Sequence, residues 1–430
     1  MKEGKVKIRH KHRAGKVILS IVLVIAIIAG VVFGANLIVR STQFSYAKTF
    51  DKVSYTSQLQ PTLESDGNYS FTTDSDFKVM QITDVHLGGG FLSYSEDRMA
   101  LNAIAAMIGY EKPDLVVFTG DQAFAVPYIA GTFNNKSAHK LLTTFMEQLG
   151  VYYTVAFGNH DTEAYNYYNR ESVADYYANL GSEYCLFSKG PSDIYGYGNQ
   201  VIEVKNSDGL INQALFVMDS NAYLDDDPIG LKWHYDNVHQ NQIDWYASEV
   251  DKLSAYNQNV FSNNPLLNVK YLLNKSDYTT VKSIVFQHIP LKEYRTGWNE
   301  LLANKMNDTI DAHYNYGGTG EAGLVIYSPE ADDNFFETML EKGSTQAMFV
   351  GHDHLNNFSI TYKGIELVYG LSIDYLAYDN IDHYGAQRGC GLIKINPDTS
   401  IKTSHENYYQ DKYVSKYNKE EVSMDPYPAE

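Results

Sequence analysis

The chain reads Gln346-Ala347-Met348-Phe349-Val350-Gly351-His352-Asp353-His354 near the end of its last long apolar block. An apolar run that stops at a glycine has the pattern of a buried strand ending in a turn. Side chains on extended backbone alternate with a period of two, so His352 and His354 leave it in roughly the same direction. Two imidazoles on one side of a turn can ligate a metal ion, although a lone His-x-His pair is as readily two surface histidines. What separates the two readings is that the same punctuation recurs upstream. Phe77–Ile82 runs into Asp84-Val85-His86, and Asp114–Thr119 into Gly120-Asp121. Val151–Phe157 runs into Gly158-Asn159-His160-Asp161, and Ser283–Phe286 into Gln287-His288.

Carboxylate, imidazole and amide oxygen suit borderline or hard divalent ions, and the absence of thiolate at these turns argues against a structural zinc cluster. Asp84, His86, Asp121, Asn159, His288, His352 and His354 are more side chains than one tetrahedral ion needs. They are the right complement for two ions that share a bridging carboxylate and keep positions open for water and substrate.

The elements that must hold these turns follow from periodicity. Helical spacing over Glu96–Tyr110 and over 137–149 separates the first three strands, and β-α-β-α-β alternation predicts a layered α/β fold. In such sheets the site lies beyond the carboxyl ends of the strands, where all these clusters fall. Further on, the pattern predicts helices over Glu163–Asn179, 239–253 and about 332–342, and a strand over Ala214–Asp219. The Asn-rich stretch 254–280 lacks core periodicity and reads as an insertion near the site. Residues 358–396 alternate as a β-meander. Asp225-Asp226-Asp227 lacks EF-hand spacing and reads as a solvated loop.

The ordered series Asp84-Val85-His86, Gly120-Asp121, Gly158-Asn159-His160-Asp161, His288 and Gly351-His352-Asp353-His354 resembles the calcineurin-like metallophosphoesterase superfamily over roughly residues 76–396. It is similar above all to single-domain phosphatases related to purple acid phosphatases. The resemblance implies a β-sheet sandwich flanked by helices and two metal ions (Mn, Fe or Zn). It puts Asp84, His86 and His354 on one ion, Asn159, His288 and His352 on the other, and Asp121 on both. It implies that phosphate esters are hydrolysed by attack of a metal-bound hydroxide, with His160 as proton donor or charge stabiliser and Asp161 as its orienting partner. One position departs: purple acid phosphatases carry an iron-ligating tyrosine three residues after the bridging aspartate, and here it is Phe124. A ferric–tyrosinate centre is therefore not expected. Tyr294, Trp298 and Arg388 are candidates for the pocket lining. His10, His12, His139, His234, His239, His313, His383 and His405 have no partner motif and read as surface or packing residues.

At the N-terminus, Lys2, Lys5, Lys7, Arg9, Lys11, Arg13 and Lys16 oppose Glu3 alone, and Val17–Val39 contains no charged residue. That run is long enough to cross a bilayer, which takes about 20 residues. It exceeds the roughly 7–15-residue apolar core of a cleaved signal peptide. The expected division is a cytoplasmic basic segment (1–16), a transmembrane signal anchor (17–39), a linker with an edge strand (40–75), an extracytoplasmic catalytic domain (76–410) and a polar, frayed tail (411–430). A formal net charge of −18 disfavours binding to long nucleic acids, since phosphate backbones call for Lys and Arg. It favours small phosphomonoesters as substrates. A phosphodiesterase or nucleotidase activity, a non-catalytic surface binding protein, and a glycan-binding envelope protein using the 36 tyrosines are the alternatives. Cys185 and Cys390, the only cysteines, are too few for a disulfide scaffold and read as buried thiols.

Overall fold

The structure, a computed structural model, describes residues 3–423 except 229, 322, 324, 379–380 and 384–386. The side chains of His10, His12 and His383 and the last seven residues of the expected tail lie outside the described residues. In chain order the strands are β1 (Thr62–Leu63), β2 (Tyr69–Thr72), β3 (Phe77–Ile82), β4 (Leu115–Thr119), β5 (Tyr153–Ala156), β6 (Gln200–Lys205) and β7 (Ile211–Val217). They continue as β8 (Ser283–Phe286), β9 (Ala312–Tyr316), β10 (Thr345–Val350), β11 (Ser359–Tyr362), β12 (Ile365–Tyr369), β13 (Gly389–Ile395) and β14 (Ile401–Asn407). Among the described residues these form a five-stranded sheet, β14-β13-β3-β4-β5, and a nine-stranded sheet, β1-β2-β6-β7-β8-β10-β12-β11-β9.

The strands that end in chemistry, β3, β4 and β5 of the smaller sheet and β8 and β10 of the larger, are parallel ones, with β5 at the edge of its sheet. β3, β4 and β5 run parallel, as do β7, β8, β10 and β12. Parallel strands are covered on both faces, so their sequences are apolar throughout rather than alternating with polar residues. The alternation is spent on two cores instead. Leu215, Val217, Ile284, Phe286, Ala347 and Phe349 point into the core shared with the smaller sheet. Ala214, Phe216, Val285, Met348 and Val350 point the other way, into a second core.

Helices close the outer faces. These are α1 (Glu3–Ala47), α2 (Tyr94–Glu111), α3 (Pro127–Ala130), α4 (Asn135–Leu149), α5 (Arg170–Ala178), α6 (Gln240–Asn263), α7 (Pro265–Lys270), α8 (Ser276–Thr279), α9 (Lys292–Ala303) and α10 (Phe335–Lys342). Leu101, Ile104 and Ile108 of α2 and Leu141, Leu142 and Phe145 of α4 join the first core. Tyr246 of α6, Leu301 of α9 and Phe336 of α10 join the second.

Four expectations change. Residues 40–75 are more than a spacer: α1 runs unbroken to Ala47, Tyr46, Ala47 and Phe50 are core residues, and β2 pairs in parallel with β6. The stretch 254–280 lies at the far end of the large sheet from the strand-end turns. Phe261, Leu267, Tyr271 and Tyr278 pack on Leu210, at the turn that begins β7. Its apolar residues are too sparse for a visible period, yet they suffice for a small core. Residues 358–396 are not one meander, because β13 crosses to the smaller sheet and pairs with β3. The tail stays packed through Glu420: Tyr413 is buried, its hydroxyl donating to Glu111 Oε1 at 2.8 Å, and Arg388 Nη1 reaches Glu420 Oε1 at 3.3 Å. Cys185 and Cys390 are buried free thiols.

Phe71 on β2 is fully buried between Phe77 and Tyr152, with ring centroids 5.0 and 5.9 Å away. Phe71→Ala should cost about 3–5 kcal/mol of stability, read as a lower urea midpoint. Unchanged stability would return 40–75 to the status of a linker.

Candidate metal centre

The strand ends of both sheets meet along one edge. Gln81 of β3 donates to the carbonyl of Val350 at 2.9 Å, and Ile373 N donates to the carbonyl of Thr83 at 3.2 Å. The turns that leave this edge are tight. Asp84, His86, Asp121 and His352 all have positive φ, between 49° and 78°. Left-handed backbone is costly for a non-glycine residue, and it persists where surrounding structure over-determines it, often at functional sites. Gly120 (φ 97°) has a different reason for its identity: a β-carbon there would collide with the His288 ring. At Gly158 it would collide with the Asp121 carboxylate.

Six of the seven side chains form two groups that share Asp121. Ligand-type atoms of Asp84, His86, Asp121 and His354 lie within 4.8 Å of one another, and so do those of Asp121, His288 and His352. Asp121 Oδ2 is 3.3 Å from His86 Nε2 and 3.1 Å from His288 Nε2. Its Oδ1 accepts the His160 amide at 2.8 Å. His354 Nε2 lies 3.5 Å from Asp84 Oδ1. His288 Nδ1 sits 2.9 Å from the Thr119 carbonyl, which fixes it as the donor and turns the buried Nε2 towards Asp121, where it can hold a proton or, once deprotonated, a cation. Asn159, the seventh, stands on the turn after β5, next to His160, whose amide Asp121 Oδ1 accepts. Its Nδ2 donates to the Tyr223 hydroxyl at 2.7 Å, leaving Oδ1 buried and unpartnered. Buried polar atoms without partners are rare, and these two belong to residues on turns that meet Asp121. The donor set fits two divalent cations.

Charge makes the same demand. Burial opposes a proton on His86, but Asp374 and Asp121 outweigh it and hold the pKa well above the usual imidazole range. Burial likewise works against His288, and Asp121 lifts it to about 9. His352, which faces the His288 charge in addition to its own burial, is pushed well below its ordinary value and stands neutral. The carboxylates thus require positive charge at this place, which protons on imidazole supply when no cation does.

Two residues that sequence reasoning missed stand against the candidate site. Asp374, in the crossover from β12 to β13, is buried with Oδ2 3.3 Å from His86 Nδ1 and 3.2 Å from His354 Nδ1. One carboxylate therefore directs the Nε2 atoms of both imidazoles towards the first group. Nothing in Ser372-Ile373-Asp374-Tyr375 distinguishes it from a loop aspartate. Glu163 is the second: its Oε1 lies 2.6 Å from His160 Nδ1, across the 3₁₀ turn His160–Thr162. Its i,i+3 spacing from His160 was the available signal.

Asp161, expected to orient His160, does something else. Its carboxylate accepts the amides of Gly158 (2.8 Å), Ala123 (2.9 Å) and Asp121 (3.1 Å), tying together the turns after β4 and β5. Burial and then Asp121 raise its pKa to about 7. The expected pocket lining also falls elsewhere. The Tyr294 hydroxyl donates to the Met348 carbonyl at 2.7 Å in the second core, and Trp298 stacks on Phe358 at 4.5 Å. Arg388 donates through Nε to the Asp374 carbonyl at 3.0 Å and so braces the crossover from behind. Of the histidines set aside, His139 is a buried packing residue 3.1 Å from the Tyr177 hydroxyl. A cavity of about 700 Å³ borders the second group through Tyr223 and is lined by Thr162, Arg170, Tyr195 and Asp236.

A cation entering this site must displace the protons that the carboxylates hold on His86 and His288. Because those pKa values are raised, with His288 at about 9, apparent metal affinity should fall as pH drops below that value, by about tenfold per unit for each proton displaced. Titration calorimetry in buffers of different ionisation enthalpy measures the proton release. An affinity independent of pH would contradict the charge argument. Asp374→Asn should keep the fold and weaken metal binding by about 10–100-fold, read by chelator competition.

The sequence profile of the calcineurin-like phosphoesterase family matches residues 77–356. Over 335 residues the chain is 26% identical to the Arabidopsis thaliana protein named "Probable inactive purple acid phosphatase 14", covering 72% of this chain and 74% of that one. It is 25% identical over 323 residues to Phosphatase DCR2 of Saccharomyces cerevisiae, covering 70% of this chain and 48% of that one. A solved dimetal phosphatase from Danio rerio aligns over 77% of this chain and 99% of its own length, at 13% identity and a TM-score of 0.43. The profile spans well over half of the sequence, from β3 to the turn after β10, and takes in all seven candidate side chains. The chain belongs to the calcineurin-like phosphoesterase family.

Proposed function

We infer that this protein is a dinuclear metal phosphoesterase, anchored in the membrane by α1 with its catalytic domain outside the cytoplasm, and that it hydrolyses small phosphomonoesters. One observation carries the reading: two groups of buried carboxylates and imidazoles share Asp121, and His160 stands beside them in neither group. When bound, two divalent cations polarise the phosphoryl oxygens and make water acidic enough to attack near neutral pH.

The chain's own residues supply the rest. Asp84, His86 and His354 would hold one cation, Asn159, His288 and His352 the other, with Asp121 between them. His160 keeps its backbone amide on Asp121 and its Nδ1 on Glu163, so its ring direction is fixed and its Nε2 is left for substrate. Burial lowers the His160 pKa, yet Asp121 and Glu163 together hold it above the ordinary value. A protonated imidazole of this kind can protonate a departing alkoxide. Phe124 packs edge-on against His86 and His160, with centroids 5.2 and 5.1 Å away. It excludes water from that side and cannot ligate iron, so Mn, Fe or Zn without a tyrosinate is the expected pair.

A non-catalytic binding role is the second reading, favoured by the word "inactive" in the name of the Arabidopsis relative. The complete ligand set supports catalysis instead. Hydrolysis of p-nitrophenyl phosphate by metal-reconstituted protein decides between them, and a parallel diester substrate separates monoesterase from diesterase.

Asp121→Ala should lose both metals and all turnover; retention of two tightly bound ions would remove its bridging role. His160→Ala should keep both metals and lose about 10²–10⁴ in rate, more on alkyl than on aryl phosphates, whose phenolate departs unaided. Equal losses on both would reduce His160 to phosphate binding. The apolar helix has a basic flank that favours the cytoplasmic side, so protease added to intact cells should remove the domain. Complete protection would reverse the topology.

A further inference from the structure

Helix α1 does not merely tether the domain. Its apolar stretch is exposed on all sides from Val17 to Phe33, and the first side chain seated on the domain is Asn36. Asn36 Nδ2 donates to the Gly131 carbonyl at 2.9 Å, and its Oδ1 accepts the Phe91 amide at 3.2 Å. One turn on, Arg40 donates to Thr132 Oγ1 at 3.2 Å, and a further turn on Gln43 donates to Asp97 Oδ2 at 2.5 Å. Asp97 in turn accepts the amides of Gly88 and Gly89 at 2.7 and 3.0 Å. The root of the helix is thereby bonded to the loop that directly follows the metal-site residue His86.

From Val17 to Asn36 the helix rises about 28 Å, close to the roughly 30 Å of a bilayer's hydrocarbon core. With the apolar run in the membrane, Asn36 and the loops it touches stand at the outer interface. Those loops expose apolar side chains: Leu92 is 49% exposed, Tyr128 82%, Phe133 42% and Tyr167 71%. Leu92 lies against Gly131, and Phe133 and Tyr167 stack at 6.0 Å. Cations gather at the same place in an otherwise acidic chain, with Arg40 on Thr132, Lys140 over the Phe44 ring at 5.5 Å and Lys136 over Tyr168 at 5.0 Å. Aromatic rings with scattered cations are the composition of a membrane–water interface. The collar is also next to the chemistry. Phe124, against the His160 ring, is four residues from Tyr128 and seven from Gly131, a span of at most about 25 Å of chain.

We propose that Leu92, Tyr128, Phe133 and Tyr167 sit in the headgroup layer of the bilayer that α1 spans, and that the metal centre takes phosphomonoester headgroups displayed on that surface. The proposal rests on the anchored-phosphoesterase reading above. It names the membrane surface, rather than bulk solution, as the source of substrate.

The test uses the full chain reconstituted in phosphatidylcholine vesicles containing phosphatidic acid as the phosphomonoester lipid. A variant carrying Leu92→Ser, Tyr128→Ser, Phe133→Ser and Tyr167→Ser is compared with it, and each lipid rate is divided by the same sample's rate on dissolved p-nitrophenyl phosphate. The ratio should fall about tenfold or more in the variant. Tyr128→Ser alone, at a side chain with little to lose in folding, should lower it in the same direction. Independently of activity, bimane attached at Tyr128→Cys should shift to the blue and be quenched by brominated lipid. An unquenched bimane, an unchanged ratio, or a chain that cleaves p-nitrophenyl phosphate but not phosphatidic acid overturns the proposal. A chain that cleaves neither substrate while its bimane is quenched instead removes the phosphoesterase reading and leaves the docked surface standing.

Discussion

A carboxylate stripped of water and placed between two sheets is the constraint on which the rest of this molecule turns. Asp121 is fully buried, and burial alone would force it to take a proton. Instead the imidazoles around it, His288 first, hold it ionised, well below the usual carboxylate range. A buried charge without compensation costs several kcal/mol. Its neighbours are accordingly arranged to deliver positive charge at Oδ2 and a backbone amide at Oδ1. The left-handed turns, the glycines that make room for side chains and the amide cluster around Asp161 are the conditions for bringing that carboxylate to that place.

Much of this was legible in the residues. Five apolar runs, each closing on a glycine or a polar turn, placed the parallel strands and the side chains of the candidate metal site. Strand ends in a layered α/β fold can go only to one edge. What the residues did not announce were contacts made across sequence. Asp374 reaches His86 and His354 because a crossover returns the chain to the smaller sheet, and no local pattern marks that return. The orienting role expected of Asp161 falls to Glu163 for a similar reason. The 3₁₀ turn after Asn159 brings the residue three positions on, and not the adjacent one, to the imidazole. Tyr294 and Trp298 looked like pocket residues by type, but helix α9 turns them into the second core.

The same distinction governs the N-terminal segment. Composition separates an apolar span from a polar stretch, and so the fold was expected to begin near residue 76. Packing does not respect that boundary. Tyr46 and Phe50, four residues apart with ring centroids 5.2 Å from one another, are too short a pattern to register as a period, yet both sit in the core. A continuous helix therefore carries lipid-length apolar surface at one end and core side chains at the other, with Asn36 and Gln43 marking the change of surroundings.

The site is also a seam. Asp84, His86, Asp121 and Asn159 come from the smaller sheet, and His288, His352 and His354 from the larger. Each candidate ion would draw ligands from both. Apart from the shared hydrophobic core, the edge is crossed by single hydrogen bonds such as that of Gln81 to Val350. Cations there would act as rivets between two separately built plates, so that occupancy sets how firmly the halves close as well as whether the chemistry runs. A site riveted in this way would hold its two halves more firmly loaded than empty.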